Sequence, residues 1–527
     1  MSILYKYNPF YIAALMLCML VLALYPYLQY YIDPDAVAYL TVVKHYVNGD
    51  WGQAVNGYWS PFSCWLTAIL TKIGLPIFMA AIITNTMAGI GILYITQSYF
   101  VKFYLMPKLQ GYMMAALAVF LAYAVFKQSF SDLWQVFFLL VVVRILSGEG
   151  IKRKPYLWVM VGAFGALAYM AKAYAFPFFI LCVFVTTWYA IKAYKQRNRV
   201  KWLKMTGVMI ASMLLFSSPW MYLLYQKYGM LTTGTAGKLN LSWYLVGHPY
   251  WADGIKHLIP PVSASSPFYW EDPYIANGAT PMFFSSFKLF VLQIIKLGYN
   301  LLKLPLAMNK LNVFFVFIFM VGVGIVTSRK VRHFFSTNKI VIPGMAFLLY
   351  PSGFLLINYE PRYLWFMLPL SMLFGGLMLQ QLMPLLDRRY ALRLLVTILF
   401  VGGYLIWPIW DMKDMLNDGK ADYELAQQMK ERGVKGSFAC NAVFENGYFP
   451  NASRIAYHTG MQYYNMPYAD TPYEELLEEM RRYGIKYYLH FYNTEAASRN
   501  FMLCDEQGAH LEELYEGDFK GVKVFKL

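Results

Sequence analysis

Asp33 and Asp35 flank a proline at the head of a helical pattern that runs through Tyr39, Val43 and Tyr46. Asp followed by Pro starts helices in its own right, because the carboxylate caps a free N–H and Pro presets the first turn. A carboxylate just outside a bilayer can also take a proton from an acceptor hydroxyl as that oxygen attacks an anomeric carbon, and an inverting transfer needs one such base. Asp132 opens a later apolar run beside Ser129 and Ser131, and the same two roles, cap or base, are open to it. Two cations stand out beside these acids. Lys172 closes the small-residue stretch that begins at Gly165, and Arg362 stands among Tyr359, Glu360, Pro361 and Tyr363. A lone Lys at a span end usually snorkels, and Arg362 can simply pair with Glu360. A guanidinium also offers paired donors in a fixed plane, which suits a phosphate.

The elements that carry these residues are apolar. Of 527 residues 59% are hydrophobic and 14% charged, which excludes a single soluble domain. Apolar stretches of about 20 residues, long enough to span the hydrocarbon core, recur from Tyr11 to Trp410. The first, Pro9 to Tyr27, lacks a small-x-small cleavage site and is expected to stay as an uncleaved helix. The net charge of +16 lies mainly in short clusters between the runs, which points to topology and anionic lipid contact rather than nucleic acid. Lys102 and Lys108, Lys152 to Lys154, Lys192 to Lys204, Arg329 to Arg332 and Arg388 to Arg393 are accordingly expected on the cytoplasmic side. That assignment gives about eleven transmembrane helices, with the N-terminus inside and the C-terminus outside. Outer loops then cover about 32–60 and 226–309. Within the second, Phe283 to Leu306 carries Lys288, Lys296 and Lys303 on one helical face. Each charge costs about 2.5–3.5 kcal/mol at the bilayer centre, so this segment is expected in the interface.

Residues 1–410 thus form the membrane domain, and 411–527 are expected to fold outside as a small α/β domain. Helices are expected at Tyr423 to Arg432 and Pro472 to Tyr483, with strands at Ser437 to Cys440, Ile485 to Phe491 and Val522 to Phe525. The five cysteines show no metal spacing; Cys440 and Cys504 can pair if the tail lies in an oxidising compartment. His248 and His257 are isolated loop histidines, so no metal site is assigned.

Asp33, Asp35, Asp132, Lys172 and Arg362 all fall on one side of this topology although they are far apart in sequence. A carboxylate base together with cations for a departing phosphate suits transfer of a sugar from a polyprenyl-phosphate carrier. The span interiors hold almost no acidic residues, which disfavours an ion-coupled transporter. The order of features resembles the GT-C superfamily, in particular the branch of protein O-mannosyltransferases and the lipid A aminoarabinose transferase. The pieces that carry the resemblance are Asp33 to Leu40, Gly49 to Trp51, Ser60 to Phe62, Ser131 with Asp132, Gly165 to Lys172, and Glu360 to Tyr363. The resemblance implies an inverting transfer, metal-independent or assisted by a divalent metal, with a first-loop Asp as base and basic residues on the carrier phosphate. Asp33 and Asp35 both fit, Asp35 if Asp33 caps the helix. The chain departs from the branch at Ser60 and Pro61, where related enzymes often show a Lys-Pro-Pro segment, so Lys172 and Arg362 are the expected phosphate ligands, supported by Glu360 and Tyr363.

The expectation is therefore an α-helical polytopic GT-C-like glycosyltransferase of the bacterial inner membrane with a periplasmic active site, acting on a lipid, glycan or protein acceptor. A flippase for a lipid-linked glycan and a non-catalytic envelope scaffold are the rival classes.

Overall fold

The computed structural model describes residues 8–127, 130–193, 199–247, 258–276, 280–335, 340–386, 389–443, 447–465, 473–493, 503–504 and 521–527. The chain divides into two compact units. The first, here the membrane unit, comprises Met1–Pro26, Ser60–Leu241 and Phe283–Met415; the second comprises Tyr27–Trp59, Ser242–Met282 and Leu416–Leu527.

Among the described residues, seven helices of the membrane unit are long and apolar enough to cross a bilayer, from Pro9–Leu28 to Met367–Leu386. A further pair, Tyr390–Gly402 and the helix starting at Ile406, is bent by 42° at its break, and shorter apolar helices lie at Tyr156–Ala171, Phe315–Thr327 and Val341–Leu356. Ser131–Leu146 is a separate helix of 16 residues that carries Asp132 at one end and Arg144 near the other. Pro61–Lys72, absent from the sequence expectation, is a further 12-residue helix opened by Ser60 and Pro61.

Close approach of backbones holds this unit together, as is usual where lipid removes the hydrophobic drive between helices. Helix Tyr156–Ala171 packs on Arg199–Tyr228 at Gly162, where a Cβ would lie 2.4 Å from the Met209 carbonyl. At Gly165 a Cβ would lie 2.5 Å from the Phe179 ring, so the small-residue stretch before Lys172 is a packing seam.

Helix Phe287–Asn309 satisfies the length and apolarity of a crossing. Its polar side chains nevertheless converge on one short stretch. Gln293 Nε2 donates to the Leu356 carbonyl at 3.0 Å and Asn300 Nδ2 to the Leu355 carbonyl at 2.7 Å. Lys303 Nζ reaches Asn358 Oδ1 at 3.4 Å. Ten residues of helix extend about 15 Å, so a helix running alongside Val341–Leu356 would meet it at successive depths.

The second unit is built on a four-stranded sheet of order β2-β1-β3-β4, with β1 at Ser437–Cys440, β2 at Gln462–Tyr464, β3 at Tyr487–Phe491 and β4 at Val522–Lys526. β1 pairs in parallel with β2 and β3, and β4 closes the edge antiparallel to β3. The parallel strands are joined through helices Phe449–Thr459 and Tyr473–Arg482, as parallel pairing requires. Ala439, Leu476, Met480, Tyr488 and Phe525 fill the core on one face. On the other, Arg454 is buried and bonds Asp422 at 2.7 Å and Asp418 at 3.0 Å, tying Phe449–Thr459 to helix Lys420–Glu431. No disulfide joins Cys440 to Cys504, and burial pushes the Cys440 thiol up to about 12.

The expected strands at 437–440, 485–491 and 522–525 are found within two residues of their expected ends, and β2 was missed because three residues, Gln462–Tyr464, carry no period. Pro472, Arg388, His248 and His257 lie outside the described residues.

Candidate active site

In the second unit, Asp33 is extended (φ −79°, ψ 167°) and its carboxylate accepts from the Ala36 N–H at 2.7 Å, so it caps helix Pro34–Asn48. Gly49 ends that helix in the left-handed region (φ 79°), its N–H bonding back to the His45 and Tyr46 carbonyls. With Asp33 committed to the cap, Asp35 sits in the first turn, where the helix dipole favours an anion. Asp35 Oδ1 accepts from the Trp270 indole Nε1 at 3.0 Å.

Trp270 belongs to an aromatic platform. It stacks on Trp243 at 5.1 Å between centroids and 18° between planes, and Tyr58 lies 5.9 Å from it. Trp59 donates its indole N–H to the Trp270 carbonyl at 3.1 Å. The next residue, Glu271, is buried and bonds His45 Nε2 at 3.0 Å, while Asp50 takes the other ring nitrogen at 3.1 Å. Asn56 Nδ2 donates to the Glu271 carbonyl at 2.7 Å. His45 thus joins the start of the chain to the 269–272 turn, and that join positions Trp270 over Asp35.

Sequence reasoning did not single out His45, Trp243, Trp270 or Glu271. A signal was present: Trp270, Glu271 and Asp272 put a large aromatic beside two acids in a Pro-rich loop. Asp35 and His45, which it meets, lie more than 200 positions away.

In the membrane unit, Asp132, Lys172, Glu360, Arg362 and Tyr363 come together. Lys172 occupies the break between helices Tyr156–Ala171 and Ala175–Ala193, in extended conformation (φ −157°, ψ 126°). Its ammonium donates to Asp132 Oδ1 and lies 4.7 Å from the centre of the Tyr363 ring. The Asp132 side chain is 3% exposed and that of Lys172 20%, so a buried anion is matched by a cation that still reaches solvent. Arg362 lies against the same ring at 5.3 Å and bonds Glu360 at 2.6 Å through Nε. The Tyr363 hydroxyl donates to the other Glu360 oxygen at 3.2 Å, and its ring stacks on Phe354 at 4.8 Å. One tyrosine therefore presents two cations, each steadied by a carboxylate. Such a site can hold a phosphate through charge-assisted bonds without collapsing when it is empty.

Among the described residues no group of three or more His, Cys, Asp or Glu side chains could hold a metal ion.

No protein-family model matches the chain, and no curated protein matches it in sequence. Solved structures do. ArnT from Cupriavidus metallidurans bound to undecaprenyl phosphate is similar with a TM-score of 0.56 and 12% identity, over 97% of this chain and 97% of that one. The same protein in the apo state gives a TM-score of 0.54 at 13% identity, over 96% of each chain. The Archaeoglobus fulgidus oligosaccharyltransferase in the apo form gives a TM-score of 0.54 at 11% identity, over 93% of this chain and 70% of that one. At these identities likeness speaks for the fold, and the fold of this chain is that of the GT-C membrane glycosyltransferases, the group its motifs resemble.

Proposed function

We propose that this protein transfers a sugar from a polyprenyl-phosphate carrier to an acceptor hydroxyl, with inversion at the anomeric carbon. The observation that carries the reading is the pair of cations, Lys172 and Arg362, set against one Tyr363 ring in a membrane unit of GT-C fold. Carrier and cations suit each other. A polyprenyl tail keeps its phosphate at the membrane, and two cations with fixed partners stabilise the charge that develops on it as the anomeric C–O bond breaks. ArnT, which shares the fold, has been solved with undecaprenyl phosphate bound, and this supports a carrier of that class here.

In the second unit, Asp35 takes the base role, because Asp33 is engaged as a cap. As the acceptor oxygen forms its bond to the anomeric carbon, its proton passes to the Asp35 carboxylate and the carrier phosphate departs with the electron pair of the broken bond. The Trp270 N–H orients the Asp35 carboxylate through its Oδ1. Trp243, Trp270 and Tyr58 offer ring faces of the kind that sugars and apolar tails both use. In this reading Asp132 and Glu360 are positioning residues that hold the two cations.

The clustering of basic segments at the opposite end of the bundle supports chemistry on the periplasmic face of a bacterial inner membrane. Asp132 opens helix Ser131–Leu146, and the far end of that helix leads to the basic loops at Lys152, Lys192 and Arg329. The acceptor class, whether lipid, glycan or protein, and the sugar are for substrate panels to decide. The test is transfer of labelled sugar from a panel of polyprenyl-phosphate donors by purified protein in lipid nanodiscs, with Asp35→Asn and Arg362→Ala beside wild type. Transfer by wild type that is lost in folded Asp35→Asn supports the reading. No transfer from any donor, with neither substitution altering function in cells, overturns it and moves a carrier flippase or a scaffold ahead.

A further inference from the structure

The end of the membrane unit away from Lys172 holds a second built feature, a cavity of about 1100 Å³. Three segments that are distant in sequence close around it: the stretch after Leu146, the end of helix Ala175–Ala193 at Trp188 to Lys192, and Val326 to His333. Its described lining includes five cations, Lys152, Lys192, Arg329, Lys330 and Arg332, against one acid, Glu149, which lies 3.8 Å from Lys152. Five like charges around one hollow repel one another unless an anion is present.

Arg332 is the most constrained of the five. Its terminal nitrogen donates to the Ile325 and Val326 carbonyls at 3.1 and 2.9 Å, which anchors the guanidinium at the end of helix Phe315–Thr327. Its Nε is buried without a hydrogen-bond partner among the described residues, a donor left over by the protein. Lys192 lies 5.1 Å over the Trp188 ring, so one wall joins a cation to an aromatic face. Trp202, Ile342 and Met345 make the remaining wall apolar.

A cation-lined hollow with an apolar wall, at the end of a transmembrane bundle where basic loops gather, is suited to a lipid headgroup. We infer that this cavity binds the phosphate headgroup of an anionic membrane lipid, with Arg329, Lys330 and Arg332 on the phosphate and Trp188 and Trp202 beside the glycerol and first acyl carbons. A nucleotide would leave the apolar wall of Trp202, Ile342 and Met345 uncovered. The inference does not rest on the transfer reaction, and it is tested by binding alone.

Native mass spectrometry of full-length protein from nanodiscs decides it. In vesicle lipid of phosphatidylcholine with one tenth phosphatidylglycerol, wild type should retain phosphatidylglycerol at least tenfold over its share. The triple variant Arg329→Gln, Lys330→Gln, Arg332→Gln should lose that preference, and so should the milder pair Lys192→Gln, Arg329→Gln if the triple variant is poorly folded. A control that removes equal charge elsewhere, Lys108→Gln, Arg389→Gln, Lys413→Gln, should keep it. Replacing phosphatidylglycerol by a polyprenyl phosphate shows which lipid source is preferred, and retention of either supports the site. Equal retention of phosphatidylcholine, retention unchanged in both cavity variants, or complete displacement by millimolar inorganic phosphate would overturn it.

Discussion

In the membrane unit Asp132 and Glu360 are engaged by Lys172 and Arg362, charge against charge, whereas in the second unit Asp35 is engaged by an indole N–H and Asp33 by a backbone N–H. The contrast follows from the surroundings. A buried carboxylate among apolar helices is tolerated when a cation neutralises it, and the pair is then valued for where it holds the cation. A carboxylate at a helix start is favoured by the dipole and by neutral donors such as a backbone or indole N–H. The same residue type, Asp, thereby meets a cation in one unit and neutral donors in the other.

Five substitutions and one pH condition break or sharpen this contrast. The largest effect is expected from Asp35→Asn, which should lower the transfer rate by about 10²–10⁴-fold, the usual worth of a general base, with unfolding unchanged. Asp33→Asn is its control, because Asn caps a helix as well as Asp, and initial rates should stay within a few-fold of wild type. Next comes Asp132→Asn. It leaves Lys172 beside a neutral amide and should destabilise the membrane unit by about 3 kcal/mol, the low end for removing one partner of a buried pair. Thermal unfolding in detergent reads this, and an unchanged midpoint would count against the positioning role.

Arg362→Ala should cost about 1.5–3 kcal/mol of binding, a tenfold to hundredfold rise in KM for the carrier, since a hydrogen bond to a charged group is lost. A fall in kcat with KM unchanged would instead place Arg362 at the transition state only. Trp270→Phe keeps the ring and removes the N–H, so a drop in rate of several-fold, worth about 1 kcal/mol, is expected.

The smallest effect separates the second unit by its pH response. Burial, and then the charges of Lys44, Lys430 and Arg454, push His458 down to about 4 from its ordinary 6.5. Lys44 is itself pushed down to about 8, chiefly by burial, and lies 3.8 Å over the Tyr457 ring. Between pH 4 and 6.5 the unfolded chain binds more protons at His458 than the folded one, so stability rises with pH across that window. The contribution is complete above 6.5 and is lost as pH falls toward 4. Denaturation followed by tryptophan fluorescence at pH 5 and pH 7 should show the difference in wild type, and His458→Gln should flatten it.

Much of this was legible in the sequence because it is local. Apolar length gives spans, Asp33 with Pro34 gives a helix start, and the alternating and turn residues of the tail give most of its strands. The basic clusters were legible too, and three of those expected on one side of the membrane do line one cavity. What the sequence could not supply is partnership over distance. That Asp132 holds Lys172 depends on two helix ends meeting across 40 positions, and that Trp270 holds Asp35 depends on a loop returning across 235. Neither spacing belongs to any helical or strand period.

The chain by itself therefore determined solvent, spans, caps and the list of charged residues that can do chemistry, because each is set by free energies acting over one or two turns. Only the tertiary structure decided which carboxylate meets a backbone N–H, which a cation and which an indole N–H, because those assignments depend on which groups the packed elements bring within about 3 Å of one another.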